Sequence, residues 1–255
     1  MQNPYKIALV TGASSGIGLE VARTFAQRGF NLALLARRRD RLEKLAAELS
    51  GHTSCHVMAC DINDGAAVER EITALPRDFS TIDILINNAG LSLGLDRAHE
   101  ASWDDWQRMI DTNCKSLAFM THLLVPGMVA RNRGHIVNIG SVAGSYAYRG
   151  GNVYGATKAF VEQFSRNLKA DLLGTAVRVT NIEPGMTTDS EFSLVRFHGN
   201  EQEANRVYQG TVPMTAADIA AAVDWVIAQP AHVNINRIEM MPVSQAPGGL
   251  AVHRK

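Results

Sequence analysis

The feature that most constrains the fold is a short apolar strand that leads through a glycine-rich turn into a helix. Residues 7–10 are all apolar, as is typical of a parallel strand covered on both faces. The turn reads Thr11-Gly12-x-x-x-Gly16-x-Gly18, and apolar residues recur at helical spacing from there to about residue 27. Glycines at such a place let a pyrophosphate approach the backbone at a helix N-terminus. The alternative is an ordinary turn, since the spacing differs from the GxGxxG fingerprint.

The same alternation of strand and helix continues along the chain. It predicts an α/β fold: a Rossmann-like, doubly wound parallel sheet of about seven strands with helices on both faces. We expect one domain over residues 1–255, with a substrate-loop insertion at about 185–210. Pro126 is predicted to end or kink the helix at about 104–129. The further strands are predicted at about 32–36, 54–60, 82–87, 135–140, 176–182 and 235–241, and further helices at about 66–74, 152–173 and 216–228.

Composition narrows the class of partner. The formal net charge is zero, with 25 basic and 25 acidic side chains, so there is no basic footprint for nucleic acid or membranes. We therefore expect a small-molecule substrate. Three cysteines without a CxxC pair, no signal-peptide core and no apolar run of transmembrane length fit a cytoplasmic protein. The eight histidines are not clustered at metal-ligand spacing, so we predict no metal site.

The end of the second strand indicates which dinucleotide binds. An acid at this place accepts from the ribose 2′-hydroxyl of NAD, whereas an arginine accommodates the 2′-phosphate of NADP. The chain has Arg37, Arg38 and Arg39 there, and no carboxylate stands at the strand end. Arg37 is predicted to face the 2′-phosphate, with Arg38 second, because guanidinium groups suit phosphate. The alternative is a solvated charge run at the start of a helix.

Other strand ends bring polar or glycine residues to the same edge of the sheet, where open α/β sheets bind ligands. Two more side chains lie four residues apart, Tyr154 and Lys158, on one face of a predicted helix. An ammonium beside a phenol lowers its pKa, which suits proton transfer near neutral pH. The residues that follow strands are Asn87-Asn88-Ala89-Gly90, Ser141 and Pro184-Gly185.

With these motifs in this order, the chain resembles the short-chain dehydrogenase/reductase family over nearly its whole length. The resemblance implies NAD(P)-dependent hydride transfer between an alcohol and a carbonyl, and the arginines after the second strand favour NADP. It implies that Tyr154 is the acid/base, that Lys158 holds the ribose and lowers the tyrosine pKa, that Ser141 hydrogen-bonds the reacting oxygen, and that Asn113 supports a proton relay. The cofactor would be bound by Gly12, Ser14, Ser15, Gly16, Ile17, Gly18, Asp61, Ile62, Asn88, Ala89, Gly90, Tyr154, Lys158, Pro184 and Gly185.

A narrower resemblance, carried by residues 152–161, 174–180, 191–197 and 230–236, is to NADP-dependent 3-hydroxy acid dehydrogenases. It implies oxidation of L-serine, L-allo-threonine or 3-hydroxypropionate at C3, reduction of 3-oxo acids such as malonic semialdehyde, and a homotetramer. The hydroxyl that meets the nicotinamide amide is left open between Thr187 and Ser190. The helix with Phe160, Phe164 and Leu168 is predicted to form a subunit interface.

A 3-hydroxy acid carries a carboxylate, for which a bidentate arginine is the natural partner. Arg196 in the substrate loop is predicted to bind it, and Arg149 near Tyr154 is the alternative. Two other functions remain open. One is a reductase of another carbonyl, such as a 3-oxoacyl thioester or a neutral ketone, and the other is a non-catalytic NADP-binding sensor.

Overall fold

The computed structural model describes residues 5–248. Its centre is a parallel sheet of seven strands in the order β3-β2-β1-β4-β5-β6-β7, which confirms the predicted doubly wound architecture. The predicted strand ends differ from the observed ones by up to two residues. The strands are β1 (Ile7–Thr11), β2 (Asn31–Ala36), β3 (Cys55–Ala59), β4 (Ile84–Asn87), β5 (Gly134–Ile139), β6 (Val177–Pro184) and β7 (Arg237–Met240).

Helices cover both faces of the sheet because successive strand residues point to opposite sides. In β1, Ala8 and Val10 pack with the helices at residues 16–27, 39–49 and 216–227, whereas Ile7 and Leu9 pack with those at residues 65–73 and 116–130. Strand residues on both faces are buried, which explains their continuous apolar runs. The helices are α1 (Gly16–Gln27), α2 (Arg39–Leu49), α3 (Gly65–Thr73), α4 (Trp103–Ile110), α5 (Ser116–Ala130), α6 (Asn152–Asp171), α7 (Phe192–Arg196), α8 (Glu201–Arg206) and α9 (Ala216–Ile227).

The predicted helix at 104–129 is built from α4 and α5, joined by a π-helical turn at Asp111–Lys115. Of the two predicted effects of Pro126, ending the helix is wrong, because α5 continues to Ala130. A proline costs the helix one backbone hydrogen bond. Leu124 and Met128 on either side of it are buried in the core, and their packing holds the last turn in place. Among residues 5–248, no helix is long and apolar enough to cross a membrane.

The segment after β6, which is the predicted substrate loop, carries the short helices α7 and α8. The helix that follows, α9, is capped by Thr215. The Thr215 hydroxyl accepts from the backbone N–H of Asp218 at 3.2 Å, and the Asp218 carboxylate accepts from the backbone N–H of Thr215 at 2.7 Å. This capping box satisfies two donors that a helix N-terminus otherwise leaves free.

Buried polar side chains occupy the amino-terminal edge of the sheet. Arg178 in β6 is buried, and its guanidinium donates to the carbonyl oxygens of Ile227 at 3.0 Å and Gln229 at 3.1 Å at the end of α9. It therefore supplies donors to carbonyls that a helix C-terminus leaves without partners. His135, its neighbour in β5, is fully buried, and its Nε2 lies 2.9 Å from the Thr180 hydroxyl.

The hydrogen bond of Thr180 fixes the state of His135. The Thr180 hydroxyl donates to the carbonyl oxygen of Ile235 at 2.7 Å, so it can only accept from the imidazole, whose Nε2 therefore carries the proton. Burial, together with the positive charge of Arg178, holds the pKa of His135 well below its usual range. The folded protein thus keeps this histidine neutral.

We predict that His135 makes the protein less stable in mild acid. Below about pH 6.5, the usual histidine pKa, the unfolded chain takes up a proton that folded His135 excludes. The free energy of unfolding should therefore fall with decreasing pH by up to about 1.4 kcal/mol per pH unit from this residue. In His135→Gln, urea unfolding between pH 5 and 7.5 should show a shallower dependence. His52→Gln, at an exposed histidine, should keep the wild-type slope. An unchanged slope in His135→Gln would contradict this account.

Candidate active site

A cavity of about 780 Å³ lies along the carboxyl ends of the strands. Most residues predicted for the site line it, and they come from the ends of strands β1 to β6, as well as from α6 and the substrate loop. Gly18, Asn113 and Arg149 are the predicted residues that do not. The predicted residues in the lining are Gly12, Ser14, Ser15, Gly16, Ile17, Arg37, Arg38, Asp61, Ile62, Asn88, Ala89, Gly90, Ser141, Tyr154, Lys158, Pro184, Gly185, Thr187, Ser190 and Arg196.

The turn after β1 is shaped by glycines. Gly12 and Gly16 have φ values of +67° and +55°, which side chains other than glycine rarely adopt. A Cβ at Gly18 would lie 2.5 Å from both the Asn88 side chain and the Gly12 carbonyl oxygen, so Gly18 serves packing. The Thr11 hydroxyl accepts from the backbone N–H groups of Asn88 at 3.0 Å and Ala89 at 2.9 Å. The turn is thereby held against β4 with its backbone open to the cavity, which fits a pyrophosphate.

The arginines after β2 lie at one end of the cavity. Arg37 is exposed and makes no ion pair with any residue in the range 5–248. Arg38 donates to the hydroxyls of Ser14 at 3.2 Å and Ser15 at 3.3 Å. Asp61 lines the same end and accepts from the backbone N–H of Asn63 at 2.9 Å. Two guanidinium groups beside the glycine turn fit the 2′-phosphate of NADP better than the bare ribose of NAD.

Tyr154 lies at the other end of the cavity and is held by close packing. The loop after β5, which carries Ser141, contacts the backbone of α6 at two glycines. A Cβ at Gly144 would lie 2.8 Å from the Lys158 carbonyl carbon, and one at Gly155 would lie 2.9 Å from the Ala143 carbonyl oxygen. The glycine after Tyr154 in the sequence thus lets Ser141 and Tyr154 come together.

The electrostatics of the tyrosine and lysine are dominated by burial. Burial raises the pKa of Tyr154 to about 12, while hydrogen bonding to Ser141 and the positive charge of Arg196 lower it in part. Burial lowers the pKa of Lys158 to about 8. The Lys158 ammonium donates to the carbonyl oxygen of Ile139 at 2.8 Å and lies 5.9 Å from the centre of the Tyr154 ring. Arg196 is thus the cation that depresses the tyrosine pKa here, and the predicted effect of Lys158 stays a prediction.

Asn113 lies in the π-helical turn between α4 and α5, behind the cavity wall. Its side-chain amide donates to the Leu91 carbonyl oxygen at 2.8 Å and to the Thr157 hydroxyl at 3.0 Å. Its carbonyl oxygen accepts from the backbone N–H of Leu91 at 2.9 Å. A Cβ at Gly90 would lie 3.2 Å from this oxygen and 3.5 Å from the Lys158 ammonium, so both side chains lie close beside Gly90.

Arg196 is the predicted carboxylate partner that reaches the catalytic end. Its guanidinium lies 5.4 Å from the centre of the Tyr154 ring and 4.9 Å from that of Phe192. Its Nε donates to the Ser92 hydroxyl at 3.1 Å, which leaves other N–H groups for a ligand. Arg149 is exposed and does not line the cavity. The geometry therefore favours Arg196.

The two candidate hydroxyls of the substrate loop lie at different places. The Thr187 hydroxyl donates to the Gly185 carbonyl oxygen at 3.1 Å, near the end of β6. The side chain of Ser190 lies over the glycine turn, where a Cβ at Gly16 would be 2.7 Å from the Cβ of Ser190. Thr187 is therefore nearer the catalytic end of the cavity, and Ser190 nearer the pyrophosphate end.

Several lining residues of the substrate loop were not predicted to have a role, among them Glu191, Phe192 and Tyr208. The Phe192 ring packs against Tyr154 with centres 5.7 Å apart. The Tyr208 hydroxyl lies 2.7 Å from that of Ser193 and donates to the Thr187 carbonyl oxygen at 3.1 Å, so it ties the substrate loop together. No local sequence pattern predicts these contacts, because they depend on how the loop folds back over the sheet.

Comparisons with known proteins agree with this geometry. A model of the short chain dehydrogenase family matches residues 6–197. The NADP-dependent 3-hydroxy acid dehydrogenase of Escherichia coli is 54% identical over 249 residues, which cover 98% of this chain and 100% of that protein. The serine 3-dehydrogenase of Agrobacterium fabrum is 49% identical over 247 residues, which cover 97% and 98%.

The closed form of serine dehydrogenase complexed with NADP+ is a solved structure with the same fold. It superposes with a TM-score of 0.94 at 54% identity, over 98% of this chain and 100% of that one. A family model that matches more than half of the chain, together with full-length relatives at this identity, establishes the family. The chain belongs to the short-chain dehydrogenase family of oxidoreductases.

Proposed function

We propose that the protein is an NADP-dependent dehydrogenase of short 3-hydroxy acids such as L-serine, L-allo-threonine and 3-hydroxypropionate. It would oxidise them at C3 and reduce matching 3-oxo acids such as malonic semialdehyde. The observation that carries the proposal is the guanidinium of Arg196, 5.4 Å from the Tyr154 ring. A substrate carboxylate on this arginine would bring a nearby hydroxyl to the tyrosine. The names of the relatives in Escherichia coli and Agrobacterium fabrum support the same substrate class.

The cofactor fits the end of the cavity with the glycine turn and the two arginines. The backbone N–H groups at the start of α1 would hold the pyrophosphate, and Arg37 and Arg38 the 2′-phosphate. Asp61, Ile62 and residues 88–90 also line the cavity and would contact the cofactor. We assign the nicotinamide amide to Thr187, which lies nearer that end than Ser190. When bound, NADP supplies the hydride acceptor, and the protein supplies orientation and proton transfer.

Proton transfer falls to Tyr154. An alcohol gives up hydride only as its hydroxyl loses its proton, so a base must lie within hydrogen-bond reach of that oxygen. Tyr154 would accept the proton during oxidation and return it during reduction. The hydroxyl of Ser141 would donate to the same oxygen as negative charge develops there, a contribution of about 3–4 kcal/mol for comparable donors.

In this proposal, Lys158 and Asn113 extend the proton-transfer path beyond Tyr154. With its pKa lowered to about 8, Lys158 exchanges a proton near neutral pH more readily than an exposed lysine does. We propose that Lys158 also holds the ribose and that Asn113 supports the relay from behind Gly90. The bonds of Asn113 to Leu91 and Thr157 would fix its position.

We also propose that the whole chain is a single short-chain dehydrogenase domain that assembles as a cytoplasmic homotetramer. Phe160 on α6 is 41% exposed and stacks on Phe164 with ring centres 5.7 Å apart. A stacked aromatic pair with one exposed ring on a long helix suits a subunit interface. All three cysteines are free thiols, which is consistent with a reducing compartment.

We predict that the purified protein forms NADPH with L-serine, L-allo-threonine or 3-hydroxypropionate. Tyr154→Phe keeps the ring against Phe192 but removes the hydroxyl. It should lower kcat by about 10²- to 10⁴-fold and leave NADP binding unchanged. Absorbance at the NADPH band measures the rate, and titration calorimetry measures cofactor binding. Activity confined to acyl thioesters or neutral ketones would make the protein a reductase of another carbonyl. NADP binding without turnover on the whole panel would make it a sensor.

We predict that Arg196→Ala raises KM for 3-hydroxy acids about ten- to hundredfold, because a charge-assisted hydrogen bond is lost. Turnover of a neutral secondary alcohol should change much less, since it offers no carboxylate. Steady-state kinetics on both substrates makes the comparison. Arg149→Ala is the matched control, at an exposed arginine outside the cavity lining, and should leave both KM values unchanged. An unchanged KM in Arg196→Ala would remove Arg196 from the substrate site.

We predict that Arg37→Ala raises KM for NADP about tenfold, because the 2′-phosphate loses a charged partner. KM for NAD, which lacks this phosphate, should stay the same. Arg39→Ala is the control, because Arg39 is exposed and pairs with Glu43 at 3.6 Å within α2. Equal losses with NADP and NAD in Arg37→Ala would refute the assignment of Arg37 to the 2′-phosphate.

A further inference from the structure

Glu191 joins two parts of the chain on either side of the cavity. It lies in the substrate loop, and its carboxylate accepts from both terminal nitrogens of Arg38, at 2.6 and 3.1 Å. Arg41 in the first turn of α2 donates to the same carboxylate at 2.9 Å. About 150 residues of sequence separate Glu191 from these arginines. A bidentate pair reinforced by a second arginine is among the stronger ionic contacts of protein surfaces.

The residues around Glu191 bring the loop down onto the glycine turn. Asp189 has a φ of +59°, which turns the chain just before the contact. Ser190 then lies so close to Gly16 that a Cβ on this glycine would be 2.7 Å from the serine Cβ. Glu191, Ser190 and Gly16 all line the cavity. The loop therefore crosses the cavity at the place where the cofactor pyrophosphate fits.

The contact between the Glu191 carboxylate and its two arginines stays ionic throughout the physiological pH range. The hydrogen bond from Arg38 is the largest cause that lowers the pKa of Glu191, to about 2; burial opposes it, and a hydrogen bond from Arg41 adds to the lowering. Both partners of the main pair keep more than a third of their side-chain surface exposed, so solvent screens it. The contact should accordingly weaken as salt is added.

A simpler role for Glu191 is to neutralise positive charge at the start of α2. Arg38, Arg39 and Arg41 lie at the N-terminus of that helix, where cations oppose the helix dipole. In that case Glu191 would contribute to folding stability and nothing else. The simpler role does not account for the position of the contact across the cavity, with Ser190 seated on the glycine turn.

We propose that Glu191 is a positioning residue that holds the substrate loop closed over the cofactor through Arg38 and Arg41, and so slows cofactor release. The inference rests on the proposed binding of NADP in this cavity. A closed loop retains any dinucleotide beneath it, with or without a 2′-phosphate. Removing the charge of Glu191 should therefore affect NADP and NAD alike, which distinguishes loop closure from phosphate recognition.

The test is the dissociation rate of the reduced cofactors from Glu191→Gln. Nucleotide fluorescence in a stopped-flow instrument follows NADPH and NADH after mixing with an excess of the oxidised form. We expect both to leave about three- to tenfold faster than from the wild type, as for the loss of partly exposed ion pairs. Added salt should speed release of NADH from the wild type but hardly from Glu191→Gln. Using NADH for the salt series avoids the separate salt dependence of 2′-phosphate binding.

Controls separate the closing role from general effects. Glu43→Gln makes the same chemical change to an exposed carboxylate of α2 that pairs with Arg39, and it should not alter release. Arg41→Gln removes one partner of Glu191 without touching Arg38, and it should speed release of both cofactors by a smaller factor. Combining it with Glu191→Gln should add nothing further, because the two residues act through one contact.

Three results would overturn the proposal. Slower release of NADPH from Glu191→Gln would mean that Glu191 competes with the 2′-phosphate for Arg38. Faster release of NADPH alone would mean that Glu191 only orients Arg38 toward that phosphate. Unchanged release of both cofactors together with a lower melting temperature would leave only a stabilising role at α2. If the wild type bound neither cofactor, the proposed function itself would fail, which is a different result from any of these.

Discussion

The position of Tyr154, the proposed acid/base, depends on a backbone contact between the loop after β5 and α6. At Gly144 and Gly155 a methyl group would meet main-chain atoms of the opposite element within 2.9 Å. Main-chain atoms cannot turn aside as a flexible side chain can, so larger residues would separate the loop from the helix. That separation would carry Ser141 away from Tyr154. Two residues without functional groups thus set the spacing on which proton transfer relies.

The two edges of the sheet use buried polar side chains for different purposes. At the amino-terminal edge, Asp83 accepts from the backbone N–H of Lys6 at 2.8 Å, and Arg178 caps the carbonyl end of α9. These groups satisfy backbone donors and acceptors that the fold would otherwise bury without partners. At the carboxyl-terminal edge, polar side chains such as Ser141, Tyr154 and Lys158 instead face the cavity. In a parallel sheet all strands end on the same side, so the second set is available for a ligand.

Local patterns in the sequence were sufficient for the fold and for the residues at the strand ends. Buried strands appear as apolar runs, the Thr215 cap lies at the predicted start of α9, and glycines mark the turn after β1 because no other residue fits there. The pairing of Glu191 with Arg38 has no such local signal, since the loop must first fold across the cavity. The same holds for Arg178, whose partners lie about 50 residues further along the chain.

The sequence pattern alone also could not show whether Arg196 or Arg149 is the better candidate for binding the substrate carboxylate, because both lie within a few residues of site motifs. The fold favours Arg196 through α7, which begins after Glu191 and ends at Arg196. A helix of five residues spans about 7.5 Å, so these two side chains lie at opposite ends of one short rigid element. One end contacts the arginines at the cofactor side, and the other lies over the tyrosine ring. A displacement of α7 would therefore change both contacts together, and it would link the proposed retention of the cofactor to the proposed placement of the substrate carboxylate.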